Sequence, residues 1–231
     1  MSNKPYKGFE PNWLLTPAPE NSYRSIFRWG DPNFFKYPKE SLYTLMKEKF
    51  QMTDDDFKAY SDDTGFDPVE LPDHPVQLAP EHIDALKAIV GEQNLSTTDY
   101  DRLSVAYALL RLRHKRIDSV PDVVLYPETS EQVEQIVAYS TEHHIPLYVY
   151  GGGSSVTRGV EPTKGGISLD MRRNFNKVIS FNEIDQTITV QAGMSGPDLE
   201  KTLQNAPELF GAKRQYTCGH FPQSFEYSSV G

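Results

Sequence analysis

Between Pro121 and Gly159 the chain runs through DVVLY, PETSEQVEQIVAYSTEHH, PLYVY and then GGGSSVTRG. The first and third segments are short, apolar, and rich in β-branched and aromatic residues, which suits strands. The second places Val133, Ile136 and Val137 on one helical face as a buried stripe, and Thr129 with Gln132 at capping-box spacing marks its start. Strand, helix, strand, then a loop of three glycines and two serines: this order restricts the fold more than any other feature. A dinucleotide-binding G-x-G-x-x-G joins a first strand directly to a helix and expects an acidic residue about 20 positions later. Here the glycines follow the second strand and lead through EPTKGG to another strand, ISLDM, with no helix between. The Rossmann arrangement is thereby excluded.

Downstream, KVISFN and TITVQAG alternate like strands and are joined by a turn around Glu183 to Asp185, a predicted hairpin. A helix is predicted next, with Ser195 as N-cap, Pro197 in its first turn and Asp198 at capping-box spacing. The last stretch, AKRQYTCGHFPQSFEYSSVG, is turn-rich and polar-aromatic. Upstream, EHIDALKAIVGEQ puts Ile83, Leu86, Ile89 and Val90 on one face, and DYDRLSVAYALLRLR turns Leu103, Ala106, Tyr107, Leu110 and Leu109 toward a core. Residues 1 to about 75 are rich in aromatics, Pro and Asp; within them SLYTLMKEKF has helical spacing behind Ser41 as N-cap, and DDDF at 54 to 57 suits the start of a further helix. Prolines at 68, 72, 75 and 80 read as an extended linker. The expected organisation is an irregular and helical arm over 1–80, a helical segment over 81–116 and a further domain over 117–231.

Charge and cysteine content close off several functions. With a net charge of −9, binding to nucleic acid or to an anionic membrane surface is disfavoured, since both need clustered Lys and Arg. RLRHKR at 111 to 116 is the one dense basic patch, and it suits a helix end. A single cysteine, Cys218, permits neither an internal disulfide nor a cysteine zinc site. No apolar run approaches the roughly 20 residues that cross a bilayer, and MSNKPYKGF has no apolar signal core, so a cytoplasmic protein is expected. GxSxG, HExxH and GxxxxGK[ST] are all missing, which leaves serine hydrolase, zincin and P-loop chemistry without support.

A run of glycines lets the backbone approach a ligand closely, and successive N–H groups can form a nest for an anion. Ser154, Ser155 and Thr157 add hydroxyl donors. Such a loop meets the charge of a diphosphate with amides instead of lysines, which an acidic protein can do; a surface turn that needs glycine only to reverse direction is the alternative. A second small-residue cluster, FEYSSVG, would cover the other side of the same diphosphate.

The ordered runs PDVVLYPETSEQVEQIVAYSTEHHIPLYVYGGGSSVTRGV, ISLDMRRNFNKVISFNEIDQTITVQAGMSGPDLEKTL and GHFPQSFEYSSVG resemble the FAD-binding half of the vanillyl-alcohol oxidase / p-cresol methylhydroxylase flavoprotein family. Within it they are most similar to alkyldihydroxyacetonephosphate synthases and bacterial FAD-linked oxidases. The resemblance implies an α+β fold: a PCMH-type FAD-binding domain of two α+β subdomains, incomplete at its C-terminus and preceded by a mostly helical N-terminal region. It implies that Val149, Tyr150, Gly151, Gly152, Gly153, Ser154 and Ser155 wrap the FAD pyrophosphate, and that Gln223, Ser224, Phe225, Glu226, Tyr227, Ser228 and Ser229 contact pyrophosphate and the ribityl or flavin ring. Some members attach FAD through a histidine in the glycine loop; Ser154 stands there instead, so FAD is expected to be non-covalent. Relatives carry Pro where this chain has Val149. The implied activity is flavin-dependent oxidation of an alcohol or 2-hydroxy acid. The alternatives are ether-lipid synthesis that uses FAD without net redox, and a non-catalytic FAD-binding fragment. A small-molecule or lipid-like substrate and a homodimeric full-length protein are also implied. Because the family continues past the position of Gly231 with a cap domain and the catalytic side chains, the chain is expected to be a fragment.

The remaining polar residues read both ways. His143 and His144 are adjacent at a helix end, so their side chains diverge and favour dipole or solvent roles over sharing a metal. His220 is either a flavin neighbour or a turn residue, Arg158 either a phosphate partner or an exposed loop arginine. Nothing around Cys218 argues for a depressed thiol pKa.

Overall fold

The computed structural model describes residues 17–26, 39–58, 65–106, 117–153, 155 and 157–218. Contacts divide the chain into two compact units, with the change at Pro68 and Val69.

In the first unit, α1 (Tyr23–Ile26), α2 (Glu40–Phe50) and α3 (Asp54–Lys58) are short helices. Ser22 bridges Pro68, and the Arg24 N–H donates to the Gly65 carbonyl at 2.7 Å, so α1 is tied to the segment that closes the unit. The helix α2 begins one residue before Ser41, with Lys39 in the cap position and no side-chain cap bond. Ser41 is therefore a first-turn residue, and the expectation that it caps the helix is corrected. The helix stops where Gln51 turns left-handed at φ 56°, which lets Tyr43 meet Phe57 on α3 with ring centroids 4.6 Å apart.

The second unit holds α4 (Pro80–Val90), a 3-10 turn (Glu92–Asn94), β1 (Leu95–Ser96), α5 (Asp99–Ser104), β2 (Val123–Leu125), α6 (Ser130–Glu142), β3 (Leu147–Tyr150), β4 (Ile167–Asp170), β5 (Val178–Asn182), β6 (Thr187–Val190), α7 (Gly196–Gln204) and α8 (Ala206–Phe210). Local chemistry explains several boundaries. Pro80 opens α4, where its missing N–H costs nothing. Thr129 caps α6 by accepting from the Gln132 N–H, while Gln132 Oε1 accepts from the Glu128 N–H at 2.7 Å, so the returning half of the box lands one residue early. Ser195 caps α7 by accepting from the Asp198 N–H.

The strands of the main sheet run in the order β1-β2-β4-β3; β1 is antiparallel to β2, and β2, β4 and β3 are parallel. β4 thus lies between the two strands that α6 connects. Val123, Leu125, Ile167 and Leu169 point to one face and pack with Leu86 and Val90 of α4 and Ile136 of α6. Burial of such apolar surface stabilises the unit by roughly 25 cal/mol per Å². Val133 packs partly on the same core, but Val137 is 45% exposed. Its expected place in the buried stripe is corrected: α6 offers the sheet a narrow seam, and Val137 lies one step past it. The opposite face carries Val124, Tyr126 and Tyr150, packed with Val105 and Val160.

The hairpin β5-β6 forms its own two-stranded sheet. Phe181, Ile188 and Val190 pack with Met194, just before α7, and with Leu199 and Leu203 of α7, and Phe181 stacks on Phe210 at 4.8 Å. A bare hairpin is marginal in water; the covering helix supplies the buried face it needs. Among the described residues no helix is long and apolar enough to cross a membrane.

Candidate functional site

A parallel ladder sends the carboxyl ends of β2, β4 and β3 to one edge of the sheet, the usual place for ligands in such sheets. Three segments meet there: Tyr126 just past β2, Asp170 to Arg173 at the end of β4, and the glycine loop just past β3. The ladder pairs Tyr150 with Asp170, and the Met171 N–H donates to the Tyr150 carbonyl at 3.0 Å.

Tyr150 is the pivot. Its ring is buried at 7% exposure in the second-face cluster. Gly153, at φ +69°, folds back so closely over that ring that a Cβ at this position would collide with the phenol. Glycine is required here twice over, for the left-handed turn and for the close approach. The Arg172 guanidinium lies over the Tyr150 ring, 4.6 Å from its centroid. It also donates Nε–H to Asp170 Oδ1 at 2.9 Å and Nη2–H to Oδ2 at 2.5 Å, a two-pronged pair that is stronger than a single bond. Burial alone would lower the Arg172 pKa, but the hydrogen bond and charge of Asp170 outweigh it and hold it above its ordinary value.

Beside this pair opens a cleft of about 320 Å³. Tyr100, Asp101 and Ser104 of α5 form one wall, Tyr126 and Asp170 with Arg172 and Arg173 the other. Arg173 stacks on Tyr126 at 4.6 Å. Burial, aided by the charges of Asp101 and Asp170, pushes the Tyr126 phenol far above its ordinary pKa, so it stays neutral and can donate. Behind the cleft the Asn174 side-chain amide donates to the Tyr126 carbonyl at 2.9 Å and to Asn94 Oδ1 at 3.1 Å. Asn94 in turn donates to Val90 O and Glu128 Oε1. Aromatic faces, guanidinium groups and a hydroxyl in one cleft suit a planar, anionic or hydroxylated ligand. Among the described residues no group of three or more His, Cys, Asp or Glu is placed to hold a metal ion.

Residues 121–231 match a family model described as FAD binding domain. Over that range the chain is similar to FAD-binding domains. An alkyldihydroxyacetonephosphate synthase of Dictyostelium discoideum is 28% identical over 210 residues, covering 87% of this chain and 33% of that protein. A D-lactate dehydrogenase (cytochrome) of Saccharomyces cerevisiae is 29% identical over 133 residues, covering 56% of this chain and 23% of that protein. A solved alkyldihydroxyacetonephosphate synthase superposes with a TM-score of 0.61 at 29% identity, over 71% of this chain and 29% of that one. The chain therefore spans about a third or less of the length of these relatives. The resemblance and the mixed helix-and-sheet fold expected from the sequence both stand.

The structure places the expected site residues unevenly. Val149 sits in β3 with 58% of its surface exposed. Gly151 and Gly152 form the half-buried first turn after the strand, and Gly153 is buried against Tyr150. The Ser155 hydroxyl accepts from the Gly159 N–H at 2.9 Å, which leaves its proton able to reach outward. Ser154 and Gln223 to Ser229 lie outside the described residues, as do His220 and the basic run 111–116. Arg158 pairs with Glu161 within its own loop. His143 caps the end of α6 and packs at a tilt against the rings of Tyr139 and His82. Cys218 has its thiol pushed up to about 11 by burial and by Glu200, so it is no nucleophile near neutral pH.

The cleft residues Tyr126, Asp170, Arg172 and Arg173 were not singled out by the sequence. For the last three the signal is present in the acid that ends β4 and the two arginines that follow Met171. It becomes meaningful only once β4 is known to lie beside β3.

Proposed function

We propose that this chain holds FAD with its diphosphate in the turn 151–155, one end of the dinucleotide in the adjoining cleft, and no covalent bond to the protein. The observation that carries this reading is the junction at Tyr150, where the glycine turn and the Arg172–Asp170 wall share one support at the carboxyl edge of the sheet. Backbone amides and Arg173 meet the ligand's charge, while Tyr100 offers a face to a ring and the buried Tyr126 offers its hydroxyl. The segment 223–229 supplies the second side of the diphosphate in this reading, and the domain limits near 80 and 117 go with it.

When bound, FAD supplies an acceptor for two electrons and a proton. In the reading we favour, the parent enzyme oxidises an alcohol or 2-hydroxy acid to the carbonyl compound. A second reading, ether-lipid synthesis without net redox, is favoured by the coverage of the Dictyostelium discoideum synthase, 87% of this chain. We place the protein in the cytoplasm and its substrate among small or lipid-like molecules, with a homodimer for the full-length form.

The purified protein should be yellow and should release its FAD into the supernatant on acid precipitation; colour that stays in the pellet overturns non-covalent binding. Gly152→Asp sets a carboxylate against the diphosphate, a repulsion of about 4 kcal/mol at 4 Å in a partly screened site. FAD retention should fall at least about 100-fold, read by fluorescence titration. Equal occupancy in mutant and wild type would place the diphosphate elsewhere. For reaction class, the parent enzyme is assayed without oxygen: flavin bleaching by a hydroxy acid marks the oxidoreductase, and acyl-for-alkyl exchange with no electron acceptor marks the synthase.

A further inference from the structure

β3 and β4 are parallel neighbours, so residues 151–166 must carry the chain back along the full length of the strands. Parallel neighbours are ordinarily joined through a helix; no helix occurs among the described residues of this segment. The return half is instead pinned at several points. Asp122 accepts from the Gly166 N–H at 2.7 Å and from the Gln77 N–H at 2.7 Å. The Tyr148 hydroxyl accepts from the Lys164 N–H at 3.3 Å. Pro162 is fully buried.

The least expected of these pins is an ion pair. Glu161 is 5% exposed, and Arg158 donates Nε–H to its Oε2 at 2.6 Å, with Nη2 closing on the same oxygen. Arg158 is also left-handed at φ 67°, a conformation that strains a non-glycine residue. The Glu161 N–H donates to the Arg158 carbonyl at 3.1 Å, closing the turn. The residue after Arg158, Gly159, donates its N–H to the Ser155 hydroxyl. A continuous chain of contacts thus runs from a buried carboxylate, through a guanidinium and a left-handed backbone, to a hydroxyl inside the turn 151–155.

We infer that Arg158 and Glu161 are positioning residues that hold the diphosphate turn in its binding shape before FAD arrives; this rests on the reading of 151–155 as that turn. Arg158 is engaged internally, because moving it to a phosphate would leave the Glu161 charge buried without its guanidinium. The pair is neutral as a unit, so it shapes the turn without adding charge to it. Pre-organisation of this kind acts on affinity by lowering what the loop must lose in freedom on binding.

The test separates shape from stability. Arg158→Gly with Glu161→Leu removes the pair, the left-handed strain and the Glu161 charge together; the Arg158 side chain is 49% exposed, so only the Glu161 site is buried, and leucine refills it with an apolar group that needs no partner. The double variant should melt at or above the wild-type temperature, bind FAD about tenfold more weakly, and exchange the Gly159 amide faster while β4 amides keep their protection. Unchanged FAD affinity with an intact fold overturns the latch. Should the double variant not fold, Glu161→Gln keeps the hydrogen bond without the charge and Arg158→Lys keeps the charge without the fork. A weakening of about threefold in each is expected, and wild-type affinity in both overturns the proposal. Gly152→Asp run alongside distinguishes the two layers. If it binds FAD as well as wild type does, the diphosphate reading fails and the latch falls with it; if it loses FAD while the latch variants do not, only the latch fails.

Discussion

Tyr150 shows how one residue couples strand, loop and cleft. Its backbone ends β3 and receives the Met171 N–H, its ring carries Arg172, and its phenol fills the space over which Gly153 turns. Gly153→Ala would force a left-handed Cβ into that phenol, and the expected destabilisation is about 2 kcal/mol, measured by urea unfolding. The companion Gly153→Ala with Tyr150→Ala removes the collision and keeps the backbone cost, so the shortfall attributable to Gly153 should shrink to about 1 kcal/mol. At this scale the sequence is readable where chemistry is local. A threonine three residues before a glutamine and a serine three before an aspartate announce helix starts at Thr129 and Ser195, because both partners lie within one turn. The Arg172–Asp170 pair is equally local, yet its place beside Tyr150 depends on a strand about twenty positions away in the chain, which no window of a few residues contains.

Among elements, the connection from β4 to β5 does more than join them. Asn174 sits in it and reaches Asn94 at the end of the 3-10 turn and the carbonyl past β2, so three elements converge on one amide. Asn94 is 3% exposed. Loss of a buried hydrogen-bonding partner leaves others unpaired, at a cost of about 1–3 kcal/mol each. Asn174→Ala should therefore lower stability by about 2 kcal/mol. It should also weaken FAD binding, through a cleft wall no longer fixed behind Tyr126, as read by paired denaturation and FAD titration. Unaltered FAD affinity would show that the wall is held by Arg173 stacking alone. The helices α4 and α6 and the hairpin β5-β6 were legible from periodicity, since each buries one face along its own length. Val137 was not, because the width of the seam that α6 presents is decided by α4 and the sheet together. The helix predicted from Asp99 ends, among the described residues, at Ser104.

For the whole second unit, the feature hardest to foresee is the position of β4. Hydrophobic runs identify strands but carry no information on their order, and strand, helix, strand suggests neighbours. Here the chain sets its first two parallel strands a full strand's width apart and fills the gap with the third. Synthesis from the N-terminus makes this a matter of timing. When Tyr150 has left the ribosome, β2 and β3 still lack their common partner, and the slot between them closes only after the glycine segment has emerged and doubled back. The turn proposed to hold the nucleotide is thus made before the sheet exists as a sheet, and on that reading a lesion anywhere in 151–166 should strike assembly of the core and cofactor capture in a single blow.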